Sequence, residues 1–352
     1  MNAKIKQLTR AFPRRKIDAF LVTKDINITY LTGFPACESW LLAAPRCASY
    51  ITDFRYVHEA REGLKGKGVR VKRYTDSIYA TLAEAIAAAR IKRIGIDTRH
   101  LSLAQYRMLE RRIPKGARLI KADDLVEEMR AVKDKGEVKK VKKALAIHKQ
   151  AHLFLKKNIK PNIKESELLV KLERFVRSKG ALFAFDPIIA SGPNSCYPHA
   201  KVTGRKLRRG EMLLIDMGID VNGYKSDLTR MFFLGKISAL VSQVHDSVYA
   251  AQRAAIREIK AGVPASEIDD LARNCLKKKR LAKYFGHALG HGVGLEVHES
   301  PRLAHNDSSV LKEGMIITVE PAVYIPGKFG IRIEDMVLVR KNDCEILSDD
   351  IH

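Results

Sequence analysis

Tryptophan occurs once in the 352 residues, and cysteine five times at irregular spacing (Cys37, Cys47, Cys196, Cys275, Cys344). An odd, scattered set supports neither a disulfide framework nor a zinc knuckle, so a reducing compartment, the cytoplasm, is the expected location. No apolar run approaches the roughly 20 residues needed to span a bilayer, and no membrane partner is expected. Residues 1–16 are basic but lack the apolar core and cleavage site of a secretory leader. Aromatic residues make up only 7%, and no arginine-rich tail, zinc finger or base-stacking motif is visible. These absences argue against nucleic acid as a partner, although 64 Lys and Arg against 40 Asp and Glu give a net charge of +24. The cations are scattered, as in Lys139-Lys140, Lys142-Lys143 and Lys277-Lys278-Lys279-Arg280. They read as a basic, solvated surface.

What is present is ordinary globular material: 46% hydrophobic and 30% charged residues, in a chain long enough for two cores. Residues 1–130 read as an α/β domain, with strand candidates at 19–23, 48–52, 69–74 and 94–97 and helices at 78–89 and 103–112. A boundary falls near 129–135, where Asp134 and Glu137 have the capping-box spacing that starts a helix running to about 157. The spacing of Leu168, Leu169, Leu172, Phe175 and Val176 predicts a second helix over 165–179, stopped by Gly180. Two more helices follow at 238–261 and 266–278. Residues 131–352 thus alternate helices with antiparallel hairpins, as a helix-backed curved sheet requires.

The hairpins carry the informative residues. They contain Ile215-Asp216-Met217-Gly218, Ser226-Asp227-Leu228-Thr229-Arg230, Thr318-Val319-Glu320-Pro321 and Arg332-Ile333-Glu334-Asp335, with Gly290-His291-Gly292 between the pairs. Hard carboxylate oxygens plus one imidazole suit Mn²⁺, Co²⁺ or Zn²⁺, with no thiolate to select a softer ion. The four carboxylates of this set carry four negative charges, which two divalent cations would neutralise. Asn222-Gly223 is a two-residue hairpin signal that places Asp216 opposite position 229, with Asp227 two residues away on the same face. Glu320 and Glu334 are equidistant from Gly327 and can oppose one another across a second hairpin. A single acid is most often a solvated surface group. Asp216, Glu320 and Glu334, however, interrupt apolar strands, where an unpaired charge is costly.

These segments resemble the pita-bread-fold metallopeptidases, in particular the prolidase and Xaa-Pro aminopeptidase branch. The resemblance covers nearly the whole chain. Its most specific parts are Phe285-Gly286-His287-Ala288-Leu289-Gly290-His291-Gly292-Val293-Gly294-Leu295-Glu296-Val297-His298-Glu299, Ala190-Ser191-Gly192-Pro193-Asn194 with Pro198-His199, and Gly330-Ile331-Arg332-Ile333-Glu334-Asp335. The Leu31-Thr32-Gly33-Phe34 turn is also similar to one in the N-terminal domain of these peptidases. The fold implied is an α/β, creatinase-like N-terminal domain (1–130) plus an α+β pita-bread catalytic domain (131–352). Ala322 stands where relatives carry glycine, and a basic Lys277–Arg280 run where many have a glycine-containing turn; neither touches a ligand position.

The resemblance implies that Asp216, Asp227, His291, Glu320 and Glu334 hold two divalent ions, Mn²⁺ or Co²⁺ before Zn²⁺. It also implies that His199 contacts the peptide linkage, His298 donates to the developing oxyanion, and Glu320 takes and returns the nucleophile's proton. His287, four residues before His291, is a pocket residue. Arg302 and Arg332 are candidate binders of a dipeptide's carboxylate, and Phe185, Tyr324 and Ile325 are candidates for an apolar proline pocket. The remaining histidines (His58, His100, His148, His152, His245, His305, His352) read as surface or packing residues. The expected activity is hydrolysis of Xaa-Pro in dipeptides or short peptides. The alternatives are an Xaa-Pro aminopeptidase of longer peptides and a non-catalytic pita-bread protein that binds protein or nucleic acid. A homodimer is implied, with the Trp40 region as a possible closure over a partner's site.

Overall fold

The structure, a computed structural model, describes residues 2–351. The chain divides into two compact units, one ending at Met129 and the other beginning at Arg130.

The first unit is built on a six-stranded sheet. Its strands lie in the spatial order Arg70–Arg73, Cys47–Thr52, Trp40–Ala44, Ala19–Val22, Arg93–Ile96 and Arg118–Lys121. The inner strands are almost wholly buried, and Ala19–Val22 and Trp40–Ala44 are continuous apolar runs because both faces are covered. Leu21, Leu42, Ile51, Ile94 and Ile96 meet Leu82 and Ile86 of the helix Ile78–Ala88 in one core. Trp40 belongs to that core: it is 7% exposed and packs edge-on against Tyr79, with ring centroids 5.0 Å apart. It is therefore a packing residue of its own unit. Residues 31 and 32 do not form a turn; they complete the helix Asp25–Thr32, and Gly33 caps it. The strands Trp40–Ala44 and Arg118–Lys121 carry no strong sequence signal, and packing supplies what propensity does not.

The second unit repeats one design twice. The helix Lys135–Asn158 starts at the Asp134 and Glu137 capping box, worth about 1 kcal/mol. It is followed by Glu165–Ser178, whose buried face is Leu168, Leu172 and Val176. Each fully buried leucine contributes roughly 1.5–3 kcal/mol. The pair Ala239–Arg257 and Ala265–Lys278 does the same for the other half. The linkers correspond bond for bond. Asn162 N–H donates to Leu207 O (2.9 Å) and Glu165 N–H to Arg205 O (3.0 Å); Gly262 donates to Leu311 O (2.8 Å) and Ala265 to Ser309 O (2.8 Å). Each helix pair covers its own apolar cluster, one around Leu168, Leu172 and Leu213, the other around Val248, Ile268 and Ile317.

Each half contributes one interrupted hairpin. In the first, Asn222 and Gly223 both have positive φ (54° and 86°) and form the turn. Thr229 pairs with Asp216 as the turn predicts. The ladder stops at Lys225 and resumes at Leu228, so Asp227 lies outside both strands. The pleat therefore does not deliver Asp227 to the face of residue 229. The break does, with the Asp227 N–H directed at Met336 Sδ (3.2 Å). In the second hairpin, Ala322 pairs with Arg332 on the turn side and Val319 with Asp335 on the far side, a single register that places Glu320 across from Glu334. Pro321 has no N–H to continue the ladder. The helix residue Gln252 closes the gap, donating Nε2 to Val319 O and Ile333 O (both 3.1 Å).

Candidate metal centre

The two breaks meet. Thr229 Oγ1 donates to Glu334 Oε2 (2.9 Å), and Glu334 N–H donates to Thr229 O (3.3 Å), lacing the first hairpin to the second. Arg230 adds a buried ion pair to Asp335 (2.7 Å). Asp227, His291 and Glu334 each offer a ligand atom, all within 4.8 Å of one another. His291 Nε2 lies 3.3 Å from Glu320 Oε1 and 3.7 Å from Asp227 Oδ2. Its Nδ1 faces Gly292 O at 3.1 Å, so Nδ1–H donates there and Nε2 is left for the carboxylate side.

Asp216 is reached through Arg332. That guanidinium is 3% exposed and fully engaged: Nη2 on Asp216 Oδ2 (2.5 Å), Nε on Thr229 Oγ1 (2.9 Å), Nη1 on Pro198 O (3.2 Å) and on the Tyr324 hydroxyl. Arg332 therefore has no free fork for a substrate carboxylate, and its place is that of a counter-charge to Asp216. Tyr324 is likewise occupied, its hydroxyl also meeting His287 Nε2 at 3.3 Å. Ile325 packs half-buried on the core and Phe185 is half-buried beside Gly218.

Burial, then the neighbouring Glu334 and Asp216 charges, push the Asp227 carboxyl well above its ordinary range. Burial and the Glu320 and Asp216 charges do the same to Glu334. Asp216 is raised by burial, which the facing Arg332 only partly offsets. Burial would raise Glu320 too, but the hydrogen bond and charge of His291 outweigh it and hold this carboxylate below its ordinary range. Asp216 Oδ1 is buried without a hydrogen-bond partner. An orphaned oxygen, two carboxyls that repel one another and an imidazole nitrogen turned towards them form a donor set that fits divalent cations. In the metal-free folded chain Asp227 and Glu334 retain protons that the unfolded chain has lost, so stability falls as pH rises from the ordinary carboxylate range into the elevated one. Metal displaces those protons. The rise in melting temperature on adding Mn²⁺ should thus be larger near pH 7.5 than near pH 5, and equal rises would contradict this account.

His298 and His199 lie at the rim, both exposed. The His298 ring is 4.3 Å from that of His291, and burial followed by the His291 charge lowers its pKa. His287 is held inside by Ala288 O (2.8 Å to Nδ1) and the Phe285 ring. Arg302 is exposed on the strand Glu299–Leu303, directly opposite His291 in the ladder. Among the other histidines, His148 is buried with Nδ1 3.1 Å from Ser226 Oγ, and His152 stacks on Phe232. His58 and His305 are exposed and His245 half-buried; His352 lies outside the described residues. His100 meets Glu127 (2.7 Å) in a group with Asp97, where Arg99 supplies the positive charge.

Several supporting residues carry no sequence signal of their own. Thr318 Oγ1 accepts from His291 N–H (3.1 Å) and donates to Glu320 Oε1 (3.3 Å). Glu165, fully buried, accepts from Ser191 N–H (2.7 Å), Asn194 Nδ2 (3.0 Å) and Thr203 Oγ1 (2.6 Å), which fixes the loop that carries His199. Asp269 accepts from Leu289 N–H (3.0 Å) and pairs with Arg273, which donates to Phe285 O and His287 O ahead of His291.

An oxygen-rich, single-imidazole cluster at the meeting of two interrupted hairpins belongs to the class of hard divalent-metal sites. Residues 139–341 match metallopeptidase family M24, and residues 4–132 match the creatinase/prolidase N-terminal domain. The chain belongs to metallopeptidase family M24. It is 35% identical to the Xaa-Pro dipeptidase of Pyrococcus horikoshii, with 99% of this chain and 97% of that one covered. Its fold is similar to the solved Xaa-Pro dipeptidase from Bacillus anthracis (TM-score 0.93, 34% identity, 98% and 97% covered). It is also similar to the X-Pro aminopeptidase from Thermotoga maritima (TM-score 0.87, 35% identity, 96% and 97% covered). No helix among the described residues is long and apolar enough to cross a membrane.

Proposed function

We propose that the chain is a prolidase, hydrolysing the bond before proline in Xaa-Pro dipeptides with two divalent cations held by Asp216, Asp227, His291, Glu320 and Glu334. The observation that carries this reading is the convergence of four carboxylates and one imidazole at the two strand breaks. Such cations would supply a nucleophile from water near neutral pH and polarise the scissile carbonyl. Glu320 is the carboxylate able to take a proton from the attacking water and return it to the proline nitrogen. His298, neutral at physiological pH, presents an N–H to the oxygen that gains charge. His199, on the loop fixed by Glu165, contacts the peptide linkage.

Mn²⁺ or Co²⁺ suits the donor set, with Zn²⁺ as the third choice. The described cysteines are all unpaired, which accords with a reducing cytoplasm. A homodimer accords with the family resemblance, and light scattering tests it. The deciding assay compares Gly-Pro and Ala-Pro with Ala-Pro-Ala, using metal-free, Mn²⁺ and Co²⁺ protein. Preference for Ala-Pro-Ala would move the assignment to an aminopeptidase. No hydrolysis with any metal would leave a binding protein.

Residues opposite one another in an antiparallel ladder project to the same face, so the Arg302 guanidinium leaves the face that bears the His291 imidazole. A dipeptide's carboxylate is the group such a fork would receive. Arg302→Ala is expected to leave metal content intact and depress Xaa-Pro dipeptide cleavage roughly 10- to 1,000-fold. Xaa-Pro-Xaa tripeptides should suffer much less, and Arg302→Lys should rescue only partly. Equal losses on both substrates would refute the role.

A further inference from the structure

His298 ends a stretch, residues 293–298, that belongs to no strand or helix. Three backbone bonds hold it, all at Val293 or Gly294: Val293 N–H reaches Ile316 O (3.0 Å), Gly294 N–H reaches Glu296 O (3.1 Å) and Gly294 O accepts from Lys225 N–H (2.9 Å). What replaces a ladder is the side chain of Glu299, only 4% exposed although its neighbours His298 and Ser300 are open to solvent. Its Oε1 accepts from Arg130 Nη2 (2.5 Å) and from the backbone N–H of Glu296 (3.0 Å); its Oε2 accepts from Lys133 Nζ (3.2 Å). Arg130 also reaches Glu296 Oε2 (2.8 Å), and Lys133 donates to Ala131 O (3.2 Å). Arg130 and Lys133 have side chains 3% and 2% exposed.

The group balances: two cations face two carboxylates. The carboxylate also fills the space in which position 294 would carry a side chain, since a Cβ there would lie 2.7 Å from Glu299 Oε2. Only glycine lets the backbone close over it. The loop is therefore wrapped on a buried charge and anchored to residues 130–133, which are in turn tied to the unit by Lys133 N–H on Gly314 O (2.9 Å). Buried ion pairs do little for net stability, and in some proteins they serve to select one geometry.

We infer that the Arg130–Glu299–Lys133 clamp is a positioning device that holds His298 at its distance from His291. The inference rests on the proposed peptidase reading for its activity readout only. None of the three side chains touches the carboxylate cluster or the reacting atoms; Glu299 also pairs with Gly292 beside His291, so metal content is the readout that separates action through His298 from action through His291.

The test is a double-mutant cycle with Glu299→Gln, His298→Ala and both together, on metal-loaded full-length protein. Glu299→Gln is expected to lower kcat about 10- to 100-fold, with KM within a few-fold and metal content unchanged, because a misplacement near 1 Å costs on that order. The double variant should be no slower than His298→Ala alone, since coupled residues are non-additive. Losses that multiply, or loss of metal, would overturn the inference. Because Glu299→Gln leaves two buried cations against one half-exposed acid, Lys133→Met serves beside it as a milder variant and should show the same non-additivity. If the wild type cleaves no Xaa-Pro substrate, the peptidase reading fails, and histidine ring NMR decides the clamp separately. Glu299→Gln should then shift the His298 ring signals while leaving those of buried His148 in place; unmoved His298 signals would reject the clamp.

Discussion

Replacing Asp227 with asparagine should remove at least one of the two proposed cations and most of the hydrolytic activity. The side chain keeps its shape but exchanges an anionic oxygen for an amide at a position 4% exposed. Losing an outer partner of a metal ligand typically costs about 10- to 100-fold in affinity, and loss of the ligand itself should exceed that. Elemental analysis of dialysed protein reads the metal directly. The same substitution should not lower the melting temperature of metal-free protein, because an amide there resembles the protonated carboxyl and removes a group whose ionisation burial, Glu334 and Asp216 oppose. A lower metal-free melting temperature would mean that Asp227 makes a structural contact of its own. At most one ion per fully loaded wild-type chain would count against a dinuclear centre.

The second large effect is expected at His298. Its removal should lower kcat about 100- to 1,000-fold, the usual loss for one oxyanion donor, with metal content unchanged. The physical ground is its position: an exposed imidazole at the rim, 4.3 Å from the His291 ring and pushed towards its neutral form by burial and by His291. Loss of metal on His298→Ala would show that it is a ligand. A rise in KM with unchanged kcat would show that it binds ground state and transition state equally and is no oxyanion donor.

The two hairpin registers were legible because their determinants are local. Asn222-Gly223 is a turn whose φ values few other residues accept, and Gly327 centres the second hairpin equally well. From those two points Asp216, Thr229, Glu320 and Glu334 follow by counting. Asp227 did not follow, because the ladder breaks between Lys225 and Leu228, where the Asp227 N–H meets Met336 Sδ of the other hairpin, a partner that local spacing does not reveal. Arg332 lies on the strand of the second hairpin and meets a carboxylate that the sequence does not indicate. Counting residues shows that it shares the second hairpin with Glu334, and cannot show that Asp216, 116 positions away, takes its Nη2. Glu165 has the same difficulty. An acid in the first turn of a helix has a sufficient reason in the helix dipole, so nothing in the sequence asks for its partners at 191, 194 and 203. Gln252, Asp269 and Glu299 likewise act on backbone or side chains far along the chain.

The doubled linker bonds, 162–165 on 205–207 and 262–265 on 309–311, have a consequence for how the centre could have arisen and for how it could be divided. Each copy of the design has its own helix pair and its own apolar cluster, yet the donors are shared unequally: Asp216 and Asp227 on one copy, His291, Glu320 and Glu334 on the other. Neither copy holds the whole proposed set, so the proposed centre belongs to the junction between them. A duplicated ancestor could acquire such a centre only after its two copies became fused or associated. For the same reason, cleavage in the exposed stretch between Leu234 and Ser238 would separate two folding cores while leaving activity as a direct report of whether the pieces remain joined.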